Sequence, residues 1–131
     1  MFDKLIFSII ESPSHPNFST LYARLGFREL RFSTQRKAIS ALKQSAPCFI
    51  VAEFFYGFGN NYAGVNVSNL DVLLMSLPRY SPDSQVIVMA AKDQYPHIHK
   101  LEALFPLYKV LPLPVTEKQM EQVLAAYSTS P

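Results

Sequence analysis

The stretch that decides the fold is Pro47-Cys48-Phe49-Ile50-Val51-Ala52-Glu53, an apolar run that ends on a single carboxylate. A run this short, without alternating polar residues, is typical of a central strand in a sheet that helices cover on both faces. Pro47 is tolerated there because the first residue of a strand needs no ladder hydrogen bond. In such sheets, binding sites lie beyond the carboxyl ends of the strands, so Glu53 is a candidate site residue.

Four further segments have the character of strands. Residues 4–10 and 85–91 are apolar and rich in β-branched side chains, as buried strands require. Residues 28–32 form a short run that mixes polar and apolar side chains, which predicts an edge strand. Residues 108–114 contain internal prolines, which place this strand at an edge of the sheet or near its own end.

Apolar residues at helical spacing separate these strands. In chain order we predict a helix over residues 18–25 closed by Gly26, one capped by Ser33 or Thr34, and one begun by Ser68 with Asp71 and stopped at Pro78. A weaker helix follows, with Pro96 in its first turn and with the apolar residues Ile98, Leu101, Leu104 and Phe105. The last helix is capped by Thr116 with Gln119. Strands that alternate with helices in this way predict a single α/β domain over residues 1–131. Its core is a five-stranded parallel sheet of the flavodoxin-like kind, with helices on both faces.

Composition narrows the class of protein. The 131 residues are 49% hydrophobic and 17% charged, so we expect some apolar surface to face a partner or a second copy. The formal net charge of +2 comes from 12 basic and 10 acidic residues scattered along the chain, which does not favour nucleic-acid binding. The one cysteine, Cys48, suits a reducing, cytoplasmic location. Residues 1–10 hold too few apolar residues for a signal peptide or a membrane span, so no membrane partner is expected.

Short motifs stand at the ends of the predicted strands. They are Ile9-Ile10-Glu11-Ser12-Pro13, Pro47 through Glu53, Val86-Ile87-Val88-Met89-Ala90-Ala91, and Leu113-Pro114. In this order and spacing they resemble the receiver domains of two-component response regulators, over nearly the whole chain. The resemblance puts Glu11 at one of the family's paired acidic positions, Glu53 at the phosphoacceptor aspartate, Ala90 at the Thr or Ser hydroxyl, and Leu113 at the lysine.

The departures from the family's pattern predict a degenerate phosphoacceptor pocket of Glu11, Glu53, Ala90 and Leu113. Phosphoryl transfer to a receiver needs a carboxylate nucleophile, a magnesium ion held by acidic side chains, and a cation near the new phosphate. Here the nucleophile is one methylene longer, the second acidic residue is Ile10, and the lysine is a leucine. The resemblance therefore implies a pseudo-receiver without metal, cofactor or phosphorelay. Two alternatives stay open: Glu53 mimics a phosphorylated state, or Glu11 and Glu53 are only solvated carboxylates that water reaches.

Two surfaces are candidates for protein contacts. In receivers the fourth helix, fifth strand and fifth helix form the usual surface for dimerisation and output, which here spans about residues 95–127. Its expected exposed residues are Tyr95, His97, Lys100, Tyr108, Lys109 and Gln122. The second candidate surface is the aromatic segment with Phe54, Phe55, Tyr56, Phe58 and Tyr62, although these rings could instead roof the core.

Other patterns predict no chemistry. His97 and His99 are separated by one residue, which directs them to different sides of a helix, so a shared metal ion is not expected. Cys48 lies in an apolar run and is expected to be a small core residue. The glycines of Tyr56-Gly57-Phe58-Gly59 are not followed by the lysine of a phosphate-binding loop.

Two classes of function remain. The first is a non-phosphorylatable receiver-like module that acts in bacterial signalling by binding a protein partner or a second copy of itself. The alternative is a small ligand-binding protein or enzyme with its site at the carboxyl ends of the strands. Ile10, Ala90 and Leu113 favour the first class, because they make that crevice apolar where an enzyme needs converging polar groups. We therefore expect a protein without enzymatic activity.

Overall fold

The computed structural model describes residues 4–11, 13, 16–55 and 70–128, without the side chains of residues 127 and 128. In this part of the chain the strands form one five-stranded sheet, with the order β2-β1-β3-β4-β5 and parallel pairing throughout. The strands are β1 (Leu5–Ile9), β2 (Arg28–Phe32), β3 (Phe49–Glu53), β4 (Gln85–Ala90) and β5 (Lys109–Pro112). The predicted parallel α/β sheet is confirmed, with β3 in its centre and β2 and β5 at its edges.

Helices connect successive strands. They are α1 (Ser19–Arg24), α2 (Gln35–Leu42), α3 (Asp71–Tyr80), α4 (His99–Glu102) and α5 (Glu117–Ser128), with a 3₁₀ helix over Lys92–His97 before α4. The predicted starts of α2 and α5 are confirmed by their caps. The hydroxyl of Thr34 accepts a hydrogen bond from the amide of Lys37 at 3.2 Å, and Thr116 and Gln119 bond reciprocally at 2.8 and 3.1 Å. Gly26 follows α1 with a φ of +88°, a conformation that favours glycine.

Two predicted helix boundaries are wrong. The helix expected to stop at Pro78 continues to Tyr80. The proline removes only one backbone hydrogen bond, and the amide of Ser81 still donates to the carbonyl of Leu77 at 2.8 Å. The fourth predicted helix contains only one short α-helical segment, and Pro96 lies in the 3₁₀ helix before it. Ser68, the expected start of the third helix, is outside the described residues.

The core has two layers, one on each face of the sheet. On one face Ile50 and Ala52 of β3 join the layer formed with α2, α3 and α4. On the other face Phe49 and Val51 join the layer formed with α1 and α5. Cys48, expected to be a core residue, is half-buried and packs against the layer with α1 and α5 from the position just before β3. Among the described residues, no helix has the length and apolar character to cross a membrane.

Candidate functional site

The carboxyl ends of the strands lie side by side at one edge of the sheet, and the backbone keeps them together one residue beyond each strand. The amide of Phe54 donates to the carbonyl of Met89 at 2.9 Å, and the amide of Leu113 donates to the carbonyl of Ala90 at the same distance. The ends of β3, β4 and β5 are therefore held in fixed register where the sequence places its candidate site.

Glu53 is the last residue of β3, and its side chain is buried with 1% exposure. The expectation that water reaches this carboxylate is wrong. The central strand has a neighbour on each side, and the period of two puts Glu53 on the same face as the buried Phe49 and Val51. Ala90, at the end of β4, is also fully buried.

A pocket of about 500 Å³ opens at the ends of these strands. Its described lining is Phe54, Phe55, Ala91, Asp93, Gln94, Leu113 and Pro114. Of the four predicted pocket residues, only Leu113 is part of this lining, and it also packs on the layer with α1 and α5. The walls are mostly apolar, and Asp93 is the one ionisable group that the described residues bring to them.

Glu11 lies elsewhere among the strand ends. It lines a separate pocket of about 510 Å³ with Ser33, Thr34, Gln35, Arg36 and Lys37, at the start of α2. The described lining of that pocket shares no residue with the pocket of Leu113. The structure thus brings the ends of β3, β4 and β5 together but does not place the two glutamates in a common cavity. Among the described residues there is also no group of three His, Cys, Asp or Glu side chains that could hold a metal ion.

The surface predicted over residues 95–127 is less exposed than the sequence suggests. Lys109 and Gln122 are exposed, whereas Tyr95, His97, Lys100 and Tyr108 are half-buried. Partial burial raises the pKa of Tyr95 above its usual value. The exposed Lys109 lies with its Nζ atom 5.9 Å from the centroid of the Tyr108 ring.

Tyr108 is a structural residue and not an exposed contact residue. Its hydroxyl donates to the carbonyl of Val123 at 2.9 Å, and its ring centroid is 6.1 Å from that of Phe49. The ring therefore joins β5 to α5 and to the core, and a charge at this position is expected to cost stability. Of the six predicted surface residues, Lys109 and Gln122 are the exposed ones, so substitutions there test binding without disturbing the core.

The second predicted surface divides in the same way. Phe54 is 1% exposed and belongs to the core layer with α2 and α3, so it is not a contact residue. Phe55 is half-buried and lines the strand-end pocket. Tyr56, Phe58 and Tyr62 lie outside the described residues.

A polar cluster that the sequence does not predict lies between β1, β2 and α1. The carboxylate of Glu29 accepts hydrogen bonds from the hydroxyls of Ser8 at 2.6 Å and Ser19 at 2.5 Å. Ser8 is fully buried, and Tyr22 lies beside it. Burial raises the pKa of Tyr22, the negative charge of Glu29 raises it further, and the hydrogen bond with Ser8 lowers it by less. The only signal in the sequence is a serine inside an apolar strand together with a carboxylate in the edge strand.

No protein-family model matches the chain, and no curated protein matches its sequence. Among solved structures, a response regulator from Thermotoga maritima matches with a TM-score of 0.69 at 13% identity, over 98% of this chain and 100% of that chain. A response regulator receiver domain protein (CheY-like) from Methanospirillum hungatei JF-1 matches with 0.71 at 8% identity, over 96% and 94%. An adenylate cyclase from Rhodopirellula baltica matches with 0.69 at 13% identity, over 95% and 87%.

At identities this low, the likeness shows the fold alone. Receiver domains recur among the matches. The resemblance predicted from the strand-end motifs is therefore confirmed for the fold: the chain has the fold of a receiver domain.

Proposed function

We propose that this chain is a signalling module that acts through protein contacts and accepts no phosphoryl group. The observation that carries the proposal is the pocket at the ends of β3, β4 and β5, where the described lining offers Leu113 and Pro114 in place of a cation. Glu53, which the resemblance puts at the acceptor position, is buried and is not part of that described lining. The resemblance implies the bacterial cytoplasm as the setting.

The chemistry of phosphoryl transfer supports this interpretation. A phosphoryl group on a carboxylate brings several negative oxygens into the site, and a metal ion or a fixed cation must offset their charge. The ionisable side chain that the described residues contribute to this pocket is the carboxylate of Asp93, which would repel a phosphate. Glu11, which the resemblance assigns to metal binding, lines a different pocket.

The test is exposure to small phosphodonors. After incubation with acetyl phosphate or phosphoramidate and Mg²⁺, we expect the intact mass of the protein to stay unchanged, while an authentic receiver domain in the same mixture gains a phosphate. Peptide mapping by mass spectrometry checks the result. A stable phosphate on Glu53 would overturn the proposal.

The proposed contact surface is the exposed side of β5 and α5. Lys109, Gln119 and Gln122 line a shallow pocket of about 250 Å³ there, with Leu111, Val123 and Ala126. Polar side chains around a small apolar centre are typical of interfaces between proteins that associate reversibly. This surface therefore suits a second copy or a protein partner.

For this surface we predict that Lys109→Glu weakens self-association about tenfold, which corresponds to about 1.4 kcal/mol. Lys109 is exposed, so the charge reversal should leave folding intact. Light scattering over a series of protein concentrations measures the effect. Arg28→Glu on β2 is the matched control, because Arg28 is equally an exposed cation and lies on the opposite edge strand of the sheet from β5. Equal loss in both variants would contradict an interface on β5 and α5.

The strand-end pocket also supports a second candidate function, the binding of a small apolar ligand. Its volume of about 500 Å³ and its aromatic and aliphatic walls lie within the usual range for ligand sites. Native mass spectrometry of protein purified from its own cells distinguishes the two functions. A metabolite that co-purifies and is lost on Phe55→Ala favours the ligand-binding function.

A further inference from the structure

Helices α2 and α3 lie side by side and form one outward surface. At their beginnings, the side-chain oxygen of Gln35 accepts a hydrogen bond from the amide of Leu73 at 3.0 Å. At their ends, the Nζ atom of Lys43 lies 5.9 Å from the centroid of the Tyr80 ring, and the guanidinium carbon of Arg79 lies 5.4 Å from it. The two helices are therefore in contact at both ends. The α2–α3 surface is defined by the exposed side chains Arg36, Lys37, Lys43, Val72, Met75 and Arg79.

The exposed charges of this surface all have the same sign. Arg36, Lys37, Lys43 and Arg79 are exposed cations, and the acid in these helices, Asp71, is buried with 3% exposure. In the described part of the chain, none of the four cations forms a salt bridge. On α1, by contrast, Arg24 lies 3.8 Å from Glu117 and 3.3 Å from Glu121. Glu11 lines a pocket with Arg36 and Lys37 at the start of α2, so Lys43 and Arg79 are the cations of the α2–α3 surface that are most available to an outside anion.

The same surface carries the exposed large hydrophobic residues of the described chain. Val72 is 43% exposed and Met75 is 54% exposed. They are three residues apart on α3, so they lie on one side of the helix. An exposed methionine adapts its shape to apolar side chains of different partners. Apolar contact and positive charge are therefore both offered by one pair of helices.

We propose that the α2–α3 surface binds an acidic amphipathic segment of a partner protein. Leucine-like side chains of the segment would contact Val72 and Met75, and its carboxylates would meet Lys43 and Arg79. In this mode of recognition, an amphipathic helix places its apolar side on the partner, and the charges around the contact set the orientation of the helix. The proposal concerns a different part of the molecule from the β5–α5 contact surface and does not depend on it.

The observations favour a protein segment over the other anionic surfaces. A nucleic acid would gain nothing from Val72 and Met75, and the small net charge of +2 gives little long-range attraction. An anionic membrane surface would need aromatic or leucine side chains to insert, and the described exposed apolar residues of α3 are a valine and a methionine.

A peptide-binding experiment tests the proposal. The probe is a short fluorescein-labelled peptide with leucines at helical spacing and glutamates elsewhere, and the control peptide has the same composition in scrambled order. Fluorescence anisotropy at about 0.15 M salt, where distant charges are largely screened, measures the dissociation constant. We expect Met75→Gln and Arg79→Glu each to weaken binding about tenfold. Lys109→Glu on β5 is the matched control and should leave peptide binding unchanged.

Each outcome supports or overturns the proposal. Selective loss in Met75→Gln and Arg79→Glu supports it. No binding, equal binding of the scrambled peptide, or equal loss in Lys109→Glu overturns it. Displacement of the peptide by duplex DNA or by anionic phosphatidylserine vesicles at a matched charge concentration also overturns it, in favour of a nucleic-acid or membrane site. Because Lys109→Glu is the test variant for self-association and the control here, failure of one proposal is distinguishable from failure of the other.

Discussion

Replacing Phe54 by alanine is expected to lower the free energy of unfolding by about 3–5 kcal/mol, the usual cost of truncating a buried phenylalanine. The ring is 1% exposed and packs in the core layer with α2 and α3. Its backbone amide bonds to the carbonyl of Met89 at 2.9 Å, so the chain has little freedom to close the cavity that the truncation leaves. Urea denaturation followed by circular dichroism measures the loss.

The control for this prediction is the neighbouring Phe55→Ala. Phe55 is half-buried and lines the strand-end pocket, so its truncation should cost only about 1 kcal/mol. A large loss for Phe54 and a small loss for Phe55 would separate the core residue from the pocket residue within one aromatic pair. If Phe54→Ala unfolds like the parent protein, the packing of this ring in the core contributes nothing to stability and the prediction is wrong.

The parallel sheet with a central strand at residues 49–53 could be predicted because its main signals are local. Runs of apolar residues such as 49–53 and 85–90 are buried on both faces whatever surrounds them, and helices between such runs require parallel pairing. The caps of α2 and α5 were also predictable, since Thr34, Thr116 and Gln119 bond to amides within their own first turn.

Exposure at the strand ends could not be predicted, because it depends on segments that are distant in sequence. Glu53 looks like a terminal carboxylate in the sequence, yet its central position in the sheet leaves it 1% exposed. Tyr108 looks like a surface tyrosine, yet α5 supplies the carbonyl of Val123 to its hydroxyl. Neither the burial of Glu53 nor the hydrogen bond of Tyr108 leaves a pattern in the local sequence.

The cationic surface of α2 and α3 could not be predicted either, because it also depends on how separate segments pack together. Basic residues that are scattered along the chain converge when α2 and α3 pack together, while the acid of these helices, Asp71, is buried. The sequence over α2 and its C-cap contains three cations, whereas the sequence over α3 contains one cation and one acid, so the second helix alone indicates no cationic surface. The α2–α3 surface becomes visible only when both helices are in place.

Glu29→Ala is expected to lower the free energy of unfolding by about 2 kcal/mol at neutral pH, because hydroxyls in the protein interior lose their common acceptor. Ser8 is fully buried and has no access to water as a replacement, while Ser19 is half-buried and recovers part of its hydrogen bonding. Glu29→Gln keeps one acceptor oxygen and should lose less. If both variants are as stable as the parent protein, the cluster contributes nothing to stability.

The same cluster should make the protein sensitive to alkali. The folded state raises the pKa of Tyr22 above its unfolded value of about 10, because burial and the charge of Glu29 both disfavour the phenolate. The resulting stability is fully present below about pH 10 and is lost as the pH rises toward the folded pKa, since only the unfolded chain then releases the proton. Urea midpoints measured from pH 8 upward should therefore fall more steeply in the parent protein than in Tyr22→Phe, which carries the same lysines and the other tyrosines. Glu29→Gln should give an intermediate slope, because it removes the negative charge beside Tyr22 and leaves the ring buried. If both variants have the same slope as the parent protein, Tyr22 ionises as freely in the folded protein as in the unfolded chain.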